Sequence, residues 1–304
     1  MGNTKLYFHQ KYYALPALGF CNEAIDSLFS QQGINIDLSG NRKVVVIYSG
    51  NTWGEGVLNP RADMSTGKYY VMSERKDFYS NGSAYENSAN FAHIGVHCHE
   101  FGHLLGLPDR YTITKEYVML WDLMSKGGTK GVWNGSNYIH GNCPSPMNPQ
   151  DLRNLGWLTY DIIPAGKNLN VAFASNLNKT YKINVEAPIS VPEYYVIQNR
   201  QASVGVWNLE NRGSGLLIWQ IRDNGVDESR RFLKPADGNT DPDRNWDVES
   251  VPFPGTTNKR YANDFVAPRF VFNGLDSNSN IVIRNISNSA ATMTADVNTF
   301  WCDS

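Results

Sequence analysis

Two kinds of hydrophobic periodicity divide this chain. In residues 18–31, Leu18, Cys21, Ile25, Leu28 and Phe29 recur at helical spacing, which predicts a helix packed on a sheet and ending near Gly33. Lys43 to Tyr48 (KVVVIY) is an unbroken β-branched run between Gly40 and Gly50, the pattern of a fully buried strand. A second strand is expected at Tyr69 to Ser73. A helix from about Asn90 to Leu105 follows, with Phe91, Ile94, Phe101, Leu104 and Leu105 forming the face that anchors it on that sheet. The segment MNPQDL starts a short helix that closes at Gly156. From about Asp161 the pattern changes to short β-type runs separated by turns: Tyr181 to Val185, Glu193 to Gln198, Gly215 to Ile221, Phe270 to Phe272, Asn280 to Ile286 and Thr292 to Val297. The whole reads as α+β, with a mixed sheet and helices over residues 1–160 and a β-sandwich over 161–304.

Chemistry concentrates on the second predicted helix. His99 and His103 stand four residues apart, on one face of a helix of 3.6 residues per turn, so both imidazoles can reach one tetrahedral metal. Glu100 projects beside them, outside the ligand set but close enough to act as general base on a water that the metal activates. Gly106 ends the helix by turning the chain back, and Pro108 keeps it from resuming. Asp109 is thereby swung toward the metal as the expected third ligand, which leaves one position open, as in catalytic zinc sites. His97 lies about 200° around the helix from the ligand face and is excluded from the site. His93 is read as structural.

Composition narrows the function classes. The 304 residues carry 27 basic and 29 acidic side chains, with no basic stripe to hold nucleic acid or an anionic membrane. No window approaches the length of a membrane-spanning helix, and the first 20 positions lack a signal-peptide pattern. Cys21, Cys98, Cys143 and Cys302 are too far apart to form a close-spaced metal cluster. With 16 Tyr, 8 Trp and 18% charged residues, the composition suits a secreted or cell-surface protein.

Beyond the helix, Ile94-Gly95-Val96 before HCHEFGHLLGLPDRY, then WDLMSKG, MNPQDLRNLGWL, EYYVIQNRQ and GSGLLIWQI, stand in an order that resembles the immune inhibitor A-type secreted metallopeptidases of bacteria, relatives of the metzincins. The resemblance spans roughly residues 34–290. It implies a metzincin-like zinc peptidase catalytic domain over 1–160 and an accessory β-sandwich over 161–304. It also implies zinc held by His99, His103 and Asp109, Glu100 as general base and acid, and Met124 in a methionine turn forming an apolar floor under the metal. Chains of that family carry a secretion signal, a latency segment and further sheet residues ahead of position 1, so the catalytic domain here reads as N-terminally shortened.

The expected activity is a zinc-dependent endopeptidase acting on extracellular proteins or peptides, with no nucleic-acid partner and no membrane span. Oxyanion support from Tyr111, Tyr138 or His140 is left unassigned. A rival reading is a catalytically silent surface protein with a structural zinc site, in which Trp207, Trp219 and Trp246 supply a glycan- or protein-binding face. Asp237, Asn239, Asp241, Asp243, Asn245 and Asp247 place oxygen ligands at every second position, as calcium favours. Pro242 and Val248 stand where an EF-hand needs glycine and glutamate, so a solvated acidic turn is the simpler reading there.

Overall fold

The computed structural model describes residues 17–35, 37, 39–51, 61–63, 66–75, 78–80, 83–85, 93–110, 118–133, 138–139, 141–176, 178–185, 193–201, 213–222, 230–236, 251–254, 265–266, 270–272, 275–277 and 281–299. The chain forms two compact units, one of residues 1–109 with 128–144, the other of 110–127 with 145–304.

The first unit is built on a three-stranded sheet of β1 (Val44–Asn51), β2 (Arg61–Ala62) and β3 (Tyr69–Arg75), in the order β1-β3-β2. β1 runs parallel to β3 and β2 antiparallel to it. Helix α1 (Ala17–Gln32) packs on β3 and stops at Gly33, whose φ of 66° only glycine adopts freely. β1 departs from the expected fully buried strand: Val45 and Ile47 are 40% and 57% exposed. The reason is position, since among the described residues β1 pairs with β3 alone and stands at the sheet's edge. Short hairpins β4 (Phe78–Ser80) with β5 (Ser83–Tyr85) and β6 (Val132–Trp133) with β7 (Tyr138–Ile139) complete this unit's described strands.

Helix α2 (Ile94–Leu104) is shorter than the sequence pattern predicts. Backbone at His93 is extended, so the helix begins at Ile94, and His93 is the residue before it rather than a helical one. The anchoring face also differs. Leu104, with Val96, packs on Tyr70 and Met72 of β3, whereas Ile94 and Phe101 remain 46% and 40% exposed. Asn90 and Phe91 lie outside the described residues.

The second unit carries two larger sheets. One contains β8 (Asp161–Ile162), β10 (Tyr181–Asn184), β11 (Glu193–Arg200), β12 (Gly215–Arg222) and β13 (Arg230–Lys234), in the order β13-β12-β11-β10-β8. The other contains β9 (Gly166–Ala174), β14 (Phe265–Val266), β17 (Ile281–Arg284) and β18 (Thr292–Thr299), in the order β14-β17-β18-β9. A hairpin of β15 (Phe270–Phe272) and β16 (Leu275–Ser277) stands beside them in sequence. Sequence periodicity missed β9, because Asn168 and Asn170 interrupt its apolar positions.

One hydrophobic cluster draws on both sheets, with Phe173, Tyr195, Ile197, Leu216, Ile218, Ile283, Met293 and Val297 at its centre. The opposite face of β11 and β12 presents Tyr194, Val196, Leu217, Trp219 and Ile221, and Val118 and Trp121 cover it. Apolar cover on both faces explains why β11 is buried along its whole length. Trp219 is fully buried, so it offers no binding surface; Trp207 and Trp246 lie outside the described residues. Helix α3 (Pro149–Asn154) follows the capping rules of its sequence: Asn148 accepts the Asp151 N–H, Pro149 occupies the first turn, and Gly156 at φ 73° closes it.

Candidate metal centre

Close backbone packing positions the histidine helix within the first unit. Gly95 N–H donates to the Gly141 carbonyl at 2.8 Å. A Cβ at Gly95 would lie 2.9 Å from that same oxygen and would overlap the Gly128 carbonyl, so only glycine lets the first turn of α2 seat there. At the other end the chain leaves the helix through a Schellman turn. Gly106 N–H reaches the His103 carbonyl at 2.9 Å, Leu107 N–H reaches the Gly102 carbonyl at 3.1 Å, and Gly106 takes φ 90°.

That turn brings Asp109 back onto the helix. His99 Nε2 and His103 Nε2 each lie 3.1 Å from Asp109 Oδ1. One ligand atom from each of the three residues falls within 4.8 Å of the others. Ligands at the 2.0–2.1 Å typical of zinc stand about 3.3 Å apart around a tetrahedron. The two His–Asp separations are close to that spacing, and two imidazole nitrogens with one carboxylate oxygen are a donor set zinc accepts. His103 Nδ1 sits 2.7 Å from the Leu107 carbonyl, so it donates there and its Nε2 keeps the lone pair a metal needs. The two histidine side chains are about a tenth exposed, while that of Asp109 is 38% exposed, which leaves the centre open on the Asp109 side.

Glu100 is buried beside the histidines. Burial pushes its carboxyl above the ordinary glutamate value, against the pull of His99, of His103 and of a hydrogen bond from the Ala62 backbone; the Asp109 charge raises it further. Burial pulls His103 down, but the Asp109 hydrogen bond, the Leu107 carbonyl and the Asp109 charge together carry it above the usual histidine value. His97 faces elsewhere. Its Nδ1 is 3.0 Å from the Tyr70 hydroxyl, and burial, with the nearby Cys98 and Glu100, raises that hydroxyl to about 12. Cys98 is a free thiol.

The second unit holds the segment expected to form a methionine turn. Asp122 to Ser125 do turn, with Ser125 N–H and Gly127 N–H both on the Asp122 carbonyl, and Met124 is fully buried. Beneath lies a buried ionic cluster that the sequence reading did not anticipate. Asp151 Oδ1 accepts from Arg231 at 2.7 Å and from Arg110 at 3.1 Å. Asp122 accepts from the Asn148 backbone at 3.0 Å and its side chain at 2.8 Å. Arg200 donates to the carbonyls of Trp121 and Met147; burial lowers its guanidinium to about 10, the Asp122 charge opposing this. In the sequence, the WDLMSKG and MNPQDLRNLGWL segments drew attention to this region, but as family motifs and a helix start rather than as an ionic cluster.

Tyr111, His140, Cys302 and the acidic stretch from Asp237 to Asp247 lie outside the described residues. Among the described residues, His99, His103 and Asp109 form the metal-capable group found.

Residues 60–158 match the family model described as immune inhibitor A peptidase M6, catalytic domain. No curated protein matches the chain.

Proposed function

We propose that this chain, an immune inhibitor A-type metallopeptidase by its residues 60–158, is a zinc-dependent endopeptidase that cleaves extracellular proteins or peptides. The observation that carries this reading is the convergence of His99 Nε2 and His103 Nε2 on Asp109 Oδ1, each at 3.1 Å, with Glu100 buried alongside. His99, His103 and Asp109 would hold the metal. A zinc ion there supplies Lewis acidity to a water molecule and to the scissile carbonyl.

The chain's own groups do the rest. Glu100 takes the water proton on its carboxylate and hands it to the leaving nitrogen, so no covalent intermediate with the enzyme is needed. A carboxyl whose proton affinity is raised by burial suits both halves of that exchange. Leu107 fixes the His103 ring through its carbonyl, and the Ala62 N–H holds Glu100 from the edge strand β2. The partly exposed Asp109 side leaves room for a peptide to approach.

The same reading takes residues 1–160 as a metzincin-like catalytic domain with Met124 as its apolar floor, and 161–304 as a β-sandwich. The cluster shared by the two larger sheets supports the sandwich. A secreted or cell-surface location accords with the family. Among the described residues no helix is long and apolar enough to cross a membrane.

The test is to load the full chain with zinc and incubate it and a Glu100→Ala variant with unfolded casein. Cleavage by wild type and its loss in the variant, with zinc retained in both, is expected. Equal cleavage by both, or none by zinc-loaded wild type, would sink the peptidase reading.

A further inference from the structure

The geometry points to Tyr70 as a positioning residue for the Glu100 carboxylate, holding helix α2 and strand β2 in one register. This rests on the reading of Glu100 as general base. Strand β2 is only two residues long, with Arg61 opposite Val71 and Ala62 opposite Tyr70 on β3. Asp63 N–H donates to the Tyr69 carbonyl at 2.8 Å, so the adjoining pair, Ala62 with Tyr70, is one that exchanges no hydrogen bonds across the ladder. At such a position the Ala62 N–H turns away from β3, which lets it donate to Glu100. That bond lasts only while α2 and β2 keep a fixed relation, and so short a strand gives little hold by itself.

Tyr70 touches both elements. Side chains opposite one another in a pair of this kind lie close together, and Tyr70 and Ala62 share one apolar cluster with Met72, Val96 and Leu104. The far end of the same side chain reaches the helix: its hydroxyl is 3.0 Å from His97 Nδ1, and the two rings meet edge-on with centroids 6.1 Å apart. At 3.6 residues per turn, His103, Glu100 and His97 follow one another around α2 in steps of about 60°. The grip on His97 therefore falls beside Glu100, on the flank away from His103. Val96, Leu104 and Met72 set how closely the helix lies on the sheet, but apolar contact has no direction and leaves rotation and sliding open. A hydrogen bond restrains both, because it weakens steeply with angle and distance. Tyr70 is buried, so water competes little for that bond. The hydroxyl also keeps its proton: burial, with the Cys98 and Glu100 charges, raises it to about 12.

The experiment compares the full chain with Tyr70→Phe, His97→Leu, His97→Asn, Tyr70→Phe/His97→Leu and Glu100→Ala variants in two ways. Amide hydrogen exchange at Ala62 and Asp63 is followed by NMR, and kcat, KM and zinc affinity are measured with unfolded casein as substrate. Tyr70→Phe keeps the ring and removes only the hydroxyl. It should speed exchange at Ala62 toward the Glu100→Ala level and leave Asp63, bonded within the sheet, unchanged. Its kcat should fall about 3–10-fold, the scale of one lost hydrogen bond, with KM and zinc affinity near wild type. His97→Leu should do the same from the helix side, and it carries the comparison if Tyr70→Phe does not fold. His97→Asn, which returns a polar atom near the place of Nδ1, should restore most of the loss. The double variant should be no worse than either single one, since both remove the same bond. Wild-type exchange at Ala62 and wild-type kcat in a folded Tyr70→Phe or His97→Leu variant would overturn the proposal, as would full additivity in the double variant or equal acceleration at Ala62 and Asp63. If zinc-loaded wild type cleaves nothing while Tyr70→Phe still loosens Ala62, the peptidase reading fails and the hold of Tyr70 on Glu100 stands.

Discussion

His103 Nδ1 and the Leu107 carbonyl stand 2.7 Å apart, so the turn that ends the helix also orients one of the two rings proposed as metal ligands. That turn depends on Gly106 at φ 90°, where an added Cβ meets nothing within 4 Å. The strain of Gly106→Ala is therefore confined to the backbone, on the order of 1–2 kcal/mol. Calorimetric zinc titration should show affinity falling several-fold, alongside a modest drop in Tm. Unchanged zinc affinity would mean that the ring is held without the turn.

Gly95→Ala should be costlier than an ordinary glycine replacement in a helix. Alanine usually stabilises a helix interior by roughly 0.5–1 kcal/mol over glycine. Here the new methyl would overlap the Gly128 carbonyl and press on Gly141, both backbone groups that cannot rotate away. The expected result is a lower Tm, read by circular dichroism; a higher Tm would show that α2 can shift to make room.

Asn148→Ala removes the cap on the Asp151 N–H and leaves Asp122 without a buried side-chain donor. Loss of the cap and of the buried bond together should cost about 2–4 kcal/mol. Urea unfolding should show a lower midpoint with an unchanged m-value. A shift of under about 0.5 kcal/mol, the size of an ordinary surface substitution, would contradict the role given to this cluster.

Lys234 makes stability depend on alkaline pH. Burial lowers its ammonium from 10.5 to about 8; the Glu193 charge opposes this and the Arg222 charge adds to it. Between those two values the unfolded chain holds a proton that the folded chain has released, so this group makes stability rise with pH across that window and levels off on either side. The gain is at most about 3 kcal/mol. The check is the difference in unfolding free energy between wild type and Lys234→Met from pH 7 to 11. A flat difference would show that the ammonium is better hydrated than its position on β13 implies.

The helix and the grouping of its polar side chains were legible because they are local. His99, Glu100 and His103 share a face by helical geometry, and Gly106 and Pro108 announce the turn that returns Asp109. Strands β11 and β12 were legible for a different reason, their dense β-branched and aromatic runs. What misled was burial. The KVVVIY run reads as a fully buried strand, yet among the described residues β1 is an edge with Val45 and Ile47 open to solvent, and nothing in a hydrophobic run states how many neighbours a strand will acquire. Ile94 and Phe101 likewise fall on apolar positions without being the residues that pack.

The sequence by itself determined which residue types sit at which spacing on one helix, and so which metal and which base are proposed for them. Tertiary structure alone decided what holds that site in register. The Ala62 N–H on Glu100 and the seat for Gly95 made by Gly128 and Gly141 join groups far apart in the chain. Helical periodicity fixes neighbours three and four residues away, whereas a buried carboxylate finds its arginine only after the chain has folded around both.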